Sequence, residues 1–250
     1  MRGLTLTSLL LAAGARAAPA SDATNAAQLN PNCAPGGNFD LSKWSLQLPI
    51  GKPGSPTTIG SGQLSGCGGY TNQYFSTQKS DGALVMKVPS LSSGCVKTPN
   101  SAHCRTEFRE SNPSKWSPNA GKNRLSASLI ITQSHGDICV GQIHIDDSIS
   151  SKPVAELYVN QSGAVNMGVQ TCRTCSQQRT AIGNVTPGKQ FSYEIRYEGG
   201  KLSVALNGGA FKGLSTYNLN SPNSYFKVGN YNQADDASEV HFYSINVTHG

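Results

Sequence analysis

Charge is scarce in this chain. Only 14% of its 250 residues are Asp, Glu, Lys or Arg, and the formal net charge is +6. Nucleic-acid binders carry dense clusters of Lys and Arg, so this mild basic bias argues against that class and favours acidic partners only modestly. Long apolar runs are missing too. After the N-terminal stretch Leu4 to Ala13, nothing approaches the ~20 residues a membrane-spanning helix requires. Amphipathic helical periodicity never persists beyond two turns, and no internal repeat, linker or composition shift divides the chain. Metal-ligand spacing is lacking as well: Cys172-Arg-Thr-Cys175 has no second Cys pair or His pair to complete a zinc site, and no βαβ pattern to make it a redox motif.

What is present begins with a targeting segment. Met1-Arg2, the apolar run and the Ala15-Arg16-Ala17 triplet read as a secretory signal peptide over residues 1–17, reaching at most to 20. Residues 18–35, rich in Ala, Asn, Asp and Pro, read as a loose leader, and 36–250 as a single domain. Loss of Arg2 and Arg16 with the signal lowers the formal charge from +6 to +4. All seven cysteines follow the signal, where an oxidising compartment favours disulfides. The odd count leaves one unpaired, and Cys95 with Cys104 and Cys172 with Cys175 are candidates for local bridges. Asn160, Asn184 and Asn246 head N-glycosylation tripeptides, which matter only if the secreting cell is a eukaryote.

From Phe39 onward, short β-type runs alternate with Gly, Pro, Asn and Ser clusters. Ten are clear: 83–88, 105–110, 124–132, 138–145, 154–159, 164–170, 191–197, 201–206, 225–231 and 240–247. Such spacing predicts an all-β jelly-roll sandwich of two antiparallel sheets. Phe191, Tyr193, Ile195 and Tyr197 alternate with polar residues, as do Leu202, Val204 and Leu206, and Gly199-Gly200 supplies the positive φ of a two-residue turn between them.

Three of the runs carry polar or chargeable groups at even spacings: Arg105, Glu107 and Arg109; Gln142, His144 and Asp146; and Lys227, Tyr231 and Gln233. Successive strand side chains point to opposite faces, so each set shares one face, with neighbours roughly 6.6 Å apart. Phe108, Ile143, Ile145, Phe226 and Val228 fall on the other, buried face. The result is an open, concave polar groove suited to an anionic polymer, in which His and Tyr can move protons. Taken singly, each set has a plainer reading: a solvated strand face, a half-exposed histidine, a rim tyrosine.

The segments Arg105-Thr-Glu-Phe-Arg109, Gln142-Ile-His144 and Tyr225-Phe-Lys-Val-Gly-Asn-Tyr-Asn-Gln233 occur in this order, and together they resemble the signature segments of the alginate lyases of polysaccharide lyase family seven. Phe108 and Val228 depart from the usual Leu and Ala, both on the apolar side. The resemblance implies β-elimination on a 1,4-linked uronate polymer: the C5 proton leaves and O4 is expelled. Charge then builds beside a carboxylate, which preorganised donors must first neutralise. Arg105 and Gln142 are the catalytic candidates for that task, Tyr231 for protonating the glycosidic oxygen, and His144 for taking the C5 proton. In a syn geometry Tyr231 itself can serve as base, and His144 is then the base for the anti geometry or the group that keeps Tyr231 reactive. Glu107 is expected to orient Arg105 or Arg109, while Arg109, Lys227 and Gln233 bind substrate. The scheme needs no metal or cofactor. The expected partner is an anionic polysaccharide, with no nucleic acid and no membrane, and the protein is expected to act as a secreted monomer. Ile143 leans the resemblance toward guluronate-containing stretches, and the 51–69 and 112–122 stretches are long enough to wall the groove, though sequence does not place them.

Rival readings remain open. A lyase acting on another polyuronate, such as glucuronan, shares the same carboxylate, C5 proton and O4. A non-catalytic, lectin-like binder can use the same fold but has no need of an Arg, Gln, His and Tyr set. A jelly-roll glycoside hydrolase needs a carboxylate pair flanking the bond, typically as Glu-x-Asp-x-Glu on a strand, and the chain has no such triplet.

Overall fold

A computed structural model describes residues 28–250. The expected signal peptide and the first part of the expected leader, residues 18–27, lie outside the described residues. Fifteen strands follow in chain order: β1 Trp44–Lys52, β2 Ser55–Ile59, β3 Phe75–Thr77, β4 Leu84–Val88, β5 Arg105–Glu110, β6 Asn123–Gln133, β7 Ile138–Ile145, β8 Pro153–Val159, β9 Ala164–Gln170, β10 Gln177–Asn184, β11 Phe191–Glu198, β12 Lys201–Leu206, β13 Lys212–Leu214, β14 Ser224–Asn232 and β15 Ser238–His249. Among the described residues, the two α-helices are four-residue turns, α1 Pro35–Asn38 and α2 Ser61–Leu64.

The strands form two antiparallel sheets, one of eight in the order β10-β9-β8-β7-β14-β5-β1-β2 and one of seven in the order β13-β12-β11-β6-β15-β4-β3. This is the jelly-roll sandwich the run spacing predicts. The two-residue period decides which side chains meet between the layers. Phe108, Ile143, Phe226 and Val228 come from the larger sheet, Leu125, Ile195, Tyr197 and Phe242 from the smaller, and all eight are fully buried. At ~25 cal/mol per Å² of apolar surface, each such side chain contributes about 1.5–3 kcal/mol, which holds the layers together. The hairpin at Gly199-Gly200 takes φ of 52° and 74°, with Glu198 opposite Lys201.

Covalent and polar ties fix the ends. Disulfides join Cys33 to Cys67, Cys95 to Cys104 and Cys172 to Cys175, and leave Cys139 free and buried. The described end of the expected leader is tied down: Leu29 packs against the core and the Ala34 amide donates to the Cys67 carbonyl at 2.8 Å. At the other terminus, His249 Nε2 meets Glu110 Oε1 at 2.6 Å, while Glu110 Oε2 accepts from Trp116 Nε1 and from the Phe226 amide.

Candidate active site

The outer face of the eight-stranded sheet carries a groove of about 520 Å³. β5 supplies its spine. On β14, Lys227 stands opposite Arg109 and Tyr231 opposite Arg105; on β7, Gln142 stands opposite Lys227 and His144 opposite Tyr225; on β8, Glu156 stands opposite Gln142. Residues more than a hundred positions apart thus share one face because the registers coincide with the pleat. Gly229 lies opposite Glu107, where a Cβ would come within 2.6 Å of Glu107 Cα, so only glycine lets the two strands close.

Glu107 is fully buried beneath the groove floor. Its Oε2 accepts from Arg105 Nη1 at 3.1 Å and pairs with Lys227 Nζ at 2.5 Å, while Oε1 accepts from the Gln142 amide. Burial opposes its charge, yet Lys227, Arg105 and Gln142 hold it below the usual carboxylate range. Burial and then Arg105 push the Lys227 ammonium below its ordinary value, with Glu107 resisting. Glu107 therefore orients Arg105, Lys227 and Gln142 together. Arg109 is held elsewhere: its Nη2 donates to Asp147 Oδ2 at 2.9 Å and its guanidinium lies 4.0 Å over the Tyr225 ring.

His144 is stacked on Tyr225 with ring centroids 5.0 Å apart. Its Nδ1 lies 2.8 Å from the Ile145 carbonyl, which can only accept, so Nδ1 carries the proton and Nε2 keeps its lone pair. Burial, reinforced by the Lys227 cation, lowers its pKa to about 4, so the ring is neutral across ordinary pH. Tyr231 moves the other way. Burial raises its phenol, with Arg105 and Ser101 pulling it back, and the proton stays on oxygen. Its hydroxyl is 2.9 Å from Ser101 Oγ, whose own proton goes to the His103 carbonyl at 2.8 Å, so Tyr231 is the donor to Ser101. The Arg105 guanidinium lies 3.6 Å over the Tyr231 ring.

Six of the residues expected from sequence line this groove: Arg105, Arg109, Gln142, His144, Lys227 and Tyr231. Gln233 does not. β14 bulges against β7 between Val228 and Tyr231 and ends at Asn232, so the period of two fails, and the Gln233 amide turns back to the Tyr231 carbonyl. Asp146, also expected on this face, lies past the end of β7 and pairs with Lys115 at 2.7 Å; Asp147 takes the groove position. Ile143 is fully buried in the core and does not reach the groove. The 112–122 stretch contributes nothing to the groove lining, and Thr58 is the contribution of the 51–69 stretch. One wall instead comes from Thr98 to Ser101, inside the Cys95–Cys104 bridge, and another from Cys175 to Gln177, at the Cys172–Cys175 bridge. Sequence reasoning missed Gln47, Ser101, Glu156 and Tyr225. Gln47 had a signal, since Trp44, Leu46 and Leu48 alternate with it; Ser101 had none, lying in a loop.

Among the described residues no group of His, Cys, Asp and Glu converges as metal ligands. Nor can Glu107 act as one half of a hydrolytic pair, because both its oxygens are taken up by internal donors. Cations and an amide at one end of a groove that also holds an imidazole and a phenol are the composition that polysaccharide lyase chemistry requires. Comparison with known proteins gives the family. A sequence profile described as alginate lyase matches residues 39–249, and the chain belongs to the alginate lyase family. It is 25% identical to an alginate lyase of Klebsiella pneumoniae over 286 aligned positions, covering 87% of this chain and 92% of that one. It superposes on the crystal structure of alginate lyase A1-II′, a member of polysaccharide lyase family 7, with a TM-score of 0.74 at 30% identity, covering 87% of this chain and 99% of that one. The crystal structure of the Klebsiella pneumoniae enzyme gives a TM-score of 0.70 at 26% identity over 87% of this chain and 99% of the other.

Proposed function

We propose that this protein cleaves alginate by β-elimination, with Arg105, Gln142, His144 and Tyr231 carrying the reaction. Substitution variants of A1-II′, 30% and 31% identical to this chain, bind a product GGG and a substrate GGMG. In the scheme, Arg105 and Gln142 take the uronate carboxylate. The Gln142 amide has two N–H groups and spends one on Glu107, leaving the other for substrate. His144 Nε2 accepts the C5 proton, the electron pair forms the C4=C5 double bond, the C4–O4 bond breaks, and the Tyr231 phenol protonates O4. A neutral imidazole and a protonated phenol lining one groove carry this assignment, because the two groups already hold the states that base and acid require. It favours His144 over Tyr231 as the base. Lys227 and Arg109 steer neighbouring carboxylates. The three disulfides fit folding in an oxidising compartment, and the enzyme is secreted to meet its polymer, acting as a monomer.

Because the carboxylate, C5 proton and O4 are common to polyuronates, the deciding test is a panel of alginate, its separated blocks and glucuronan. Release of ultraviolet-absorbing unsaturated uronate from alginate is the expected result. Reducing ends without that absorbance would mean hydrolysis, and activity on glucuronan alone would move the substrate.

A further inference from the structure

Beside Gln142 on the groove floor sits a carboxyl with no cation in contact. Glu156 keeps 7% exposure and lines the groove. Its partners are both neutral: the Tyr158 hydroxyl donates to Oε2 at 2.6 Å and the Gln177 amide donates to the same oxygen. Glu107, by contrast, holds an ammonium and a guanidinium, and Glu110 meets an imidazole. Two donors fill Oε2, and among the described residues Oε1 takes no hydrogen bond, so a proton on this group resides on Oε1. Nor is Oε1 among the buried atoms left without a partner. It is the oxygen open to the groove.

We propose that Glu156 binds substrate as a neutral carboxylic acid, donating its Oε1 proton to a uronate carboxylate in the subsite beyond Gln142, and so makes that subsite proton-linked. This rests on the groove being the polyuronate site. An ionised Glu156 would face substrate carboxylates as a like charge with no donor to offer; a protonated one offers a short hydrogen bond to an anion. Burial raises its pKa, Tyr158, Gln177 and then Arg105 lower it, and Glu107 beyond Gln142 raises it again. Lys227 and Tyr231 on β14, Cys139 on β7 and Arg179 over the Tyr158 ring are the other titratable groups facing this corner, and the Lys227 ammonium favours the ionised form without touching it.

The test measures binding apart from turnover. In a Tyr231→Phe background, titration calorimetry of an alginate oligosaccharide in buffers of different ionisation enthalpy reads protons taken up on binding. Above the pKa of free Glu156, uptake approaching one proton is expected, with affinity falling by up to roughly tenfold per unit of pH. Glu156→Gln in the same background should abolish the uptake and flatten the affinity profile. Tyr158→Phe, which removes a donor favouring the anion, should move the fall to higher pH without touching the carboxyl, and so serves where E156Q does not fold. Profiles that coincide for all three chains, or no proton uptake, overturn the proposal. Failure of wild type to release unsaturated uronate would instead overturn the lyase reading, since the binding experiment does not depend on it.

Discussion

With both oxygens committed inside the protein, Glu107 balances Arg105 and Lys227 while remaining out of reach of solvent. Glu107→Gln leaves those two cations side by side without a counter-ion. A loss of about 3–5 kcal/mol is expected in a denaturant titration. Tyr231→Phe removes one hydroxyl from a ring that Arg105 still covers. Its kcat is expected to fall ~10²–10⁴-fold with KM close to wild type, read as unsaturated product. A change in KM alone would make Tyr231 a binding residue. The imidazole of His144 is lowered to about 4, so it is a competent base at every higher pH and is lost as a base when pH falls through that value. The acid limb of kcat/KM should therefore lie near about pH 4 rather than at the ordinary histidine value of about 6.5. A limb at the ordinary value would take the base role from His144.

The meeting of β5 and β14 depends on one missing side chain. Gly229→Ala drives a methyl into the Glu107 backbone, where no rotamer change can relieve it. We expect a loss of about 1–3 kcal/mol by thermal denaturation, with activity falling further because Tyr231 and Arg105 lie on the strands being forced apart. Elements with strict alternation were legible in the sequence. All ten runs appear as strands within two residues of their expected ends, and the Gly199-Gly200 turn closes the hairpin it was expected to close. Five strands were not legible. β1 alternates only from Trp44 to Leu48 before Pro49 and Gly51 break the pattern, β10 is a polar edge strand whose Gln177, Arg179 and Gly183 give no buried face, and β2, β3 and β13 have five residues or fewer. The site was legible where it rode on period two. It failed at Gln233 and Asp146, where a bulge or a strand end breaks that period, and at Ser101 and Glu156, whose importance comes from neighbours that only folding supplies.

At the scale of the whole molecule, two sheets share one core while three disulfides secure what the core does not cover. The Cys33–Cys67 bridge spans 34 residues, and closing a loop of that length is worth about 4 kcal/mol against the unfolded chain. The other two bridges anchor the groove walls that carry Ser101 and Gln177. Both ends of the described chain are thereby fixed, the first by sulfur and the last by His249 on Glu110.

Cys139 stands apart from this sulfur framework. It lies opposite Tyr231 and Tyr158 beneath the groove floor; burial raises its thiol well above the ordinary value, and its Sγ points to the Gly141 carbonyl at 3.6 Å. A thiol-directed dye added without reductant should accordingly leave the folded chain unlabelled and mark it once, at this position, each time the sandwich opens. The labelling rate would then report the unfolding equilibrium directly, and rapid labelling at low temperature would show that the groove floor opens locally.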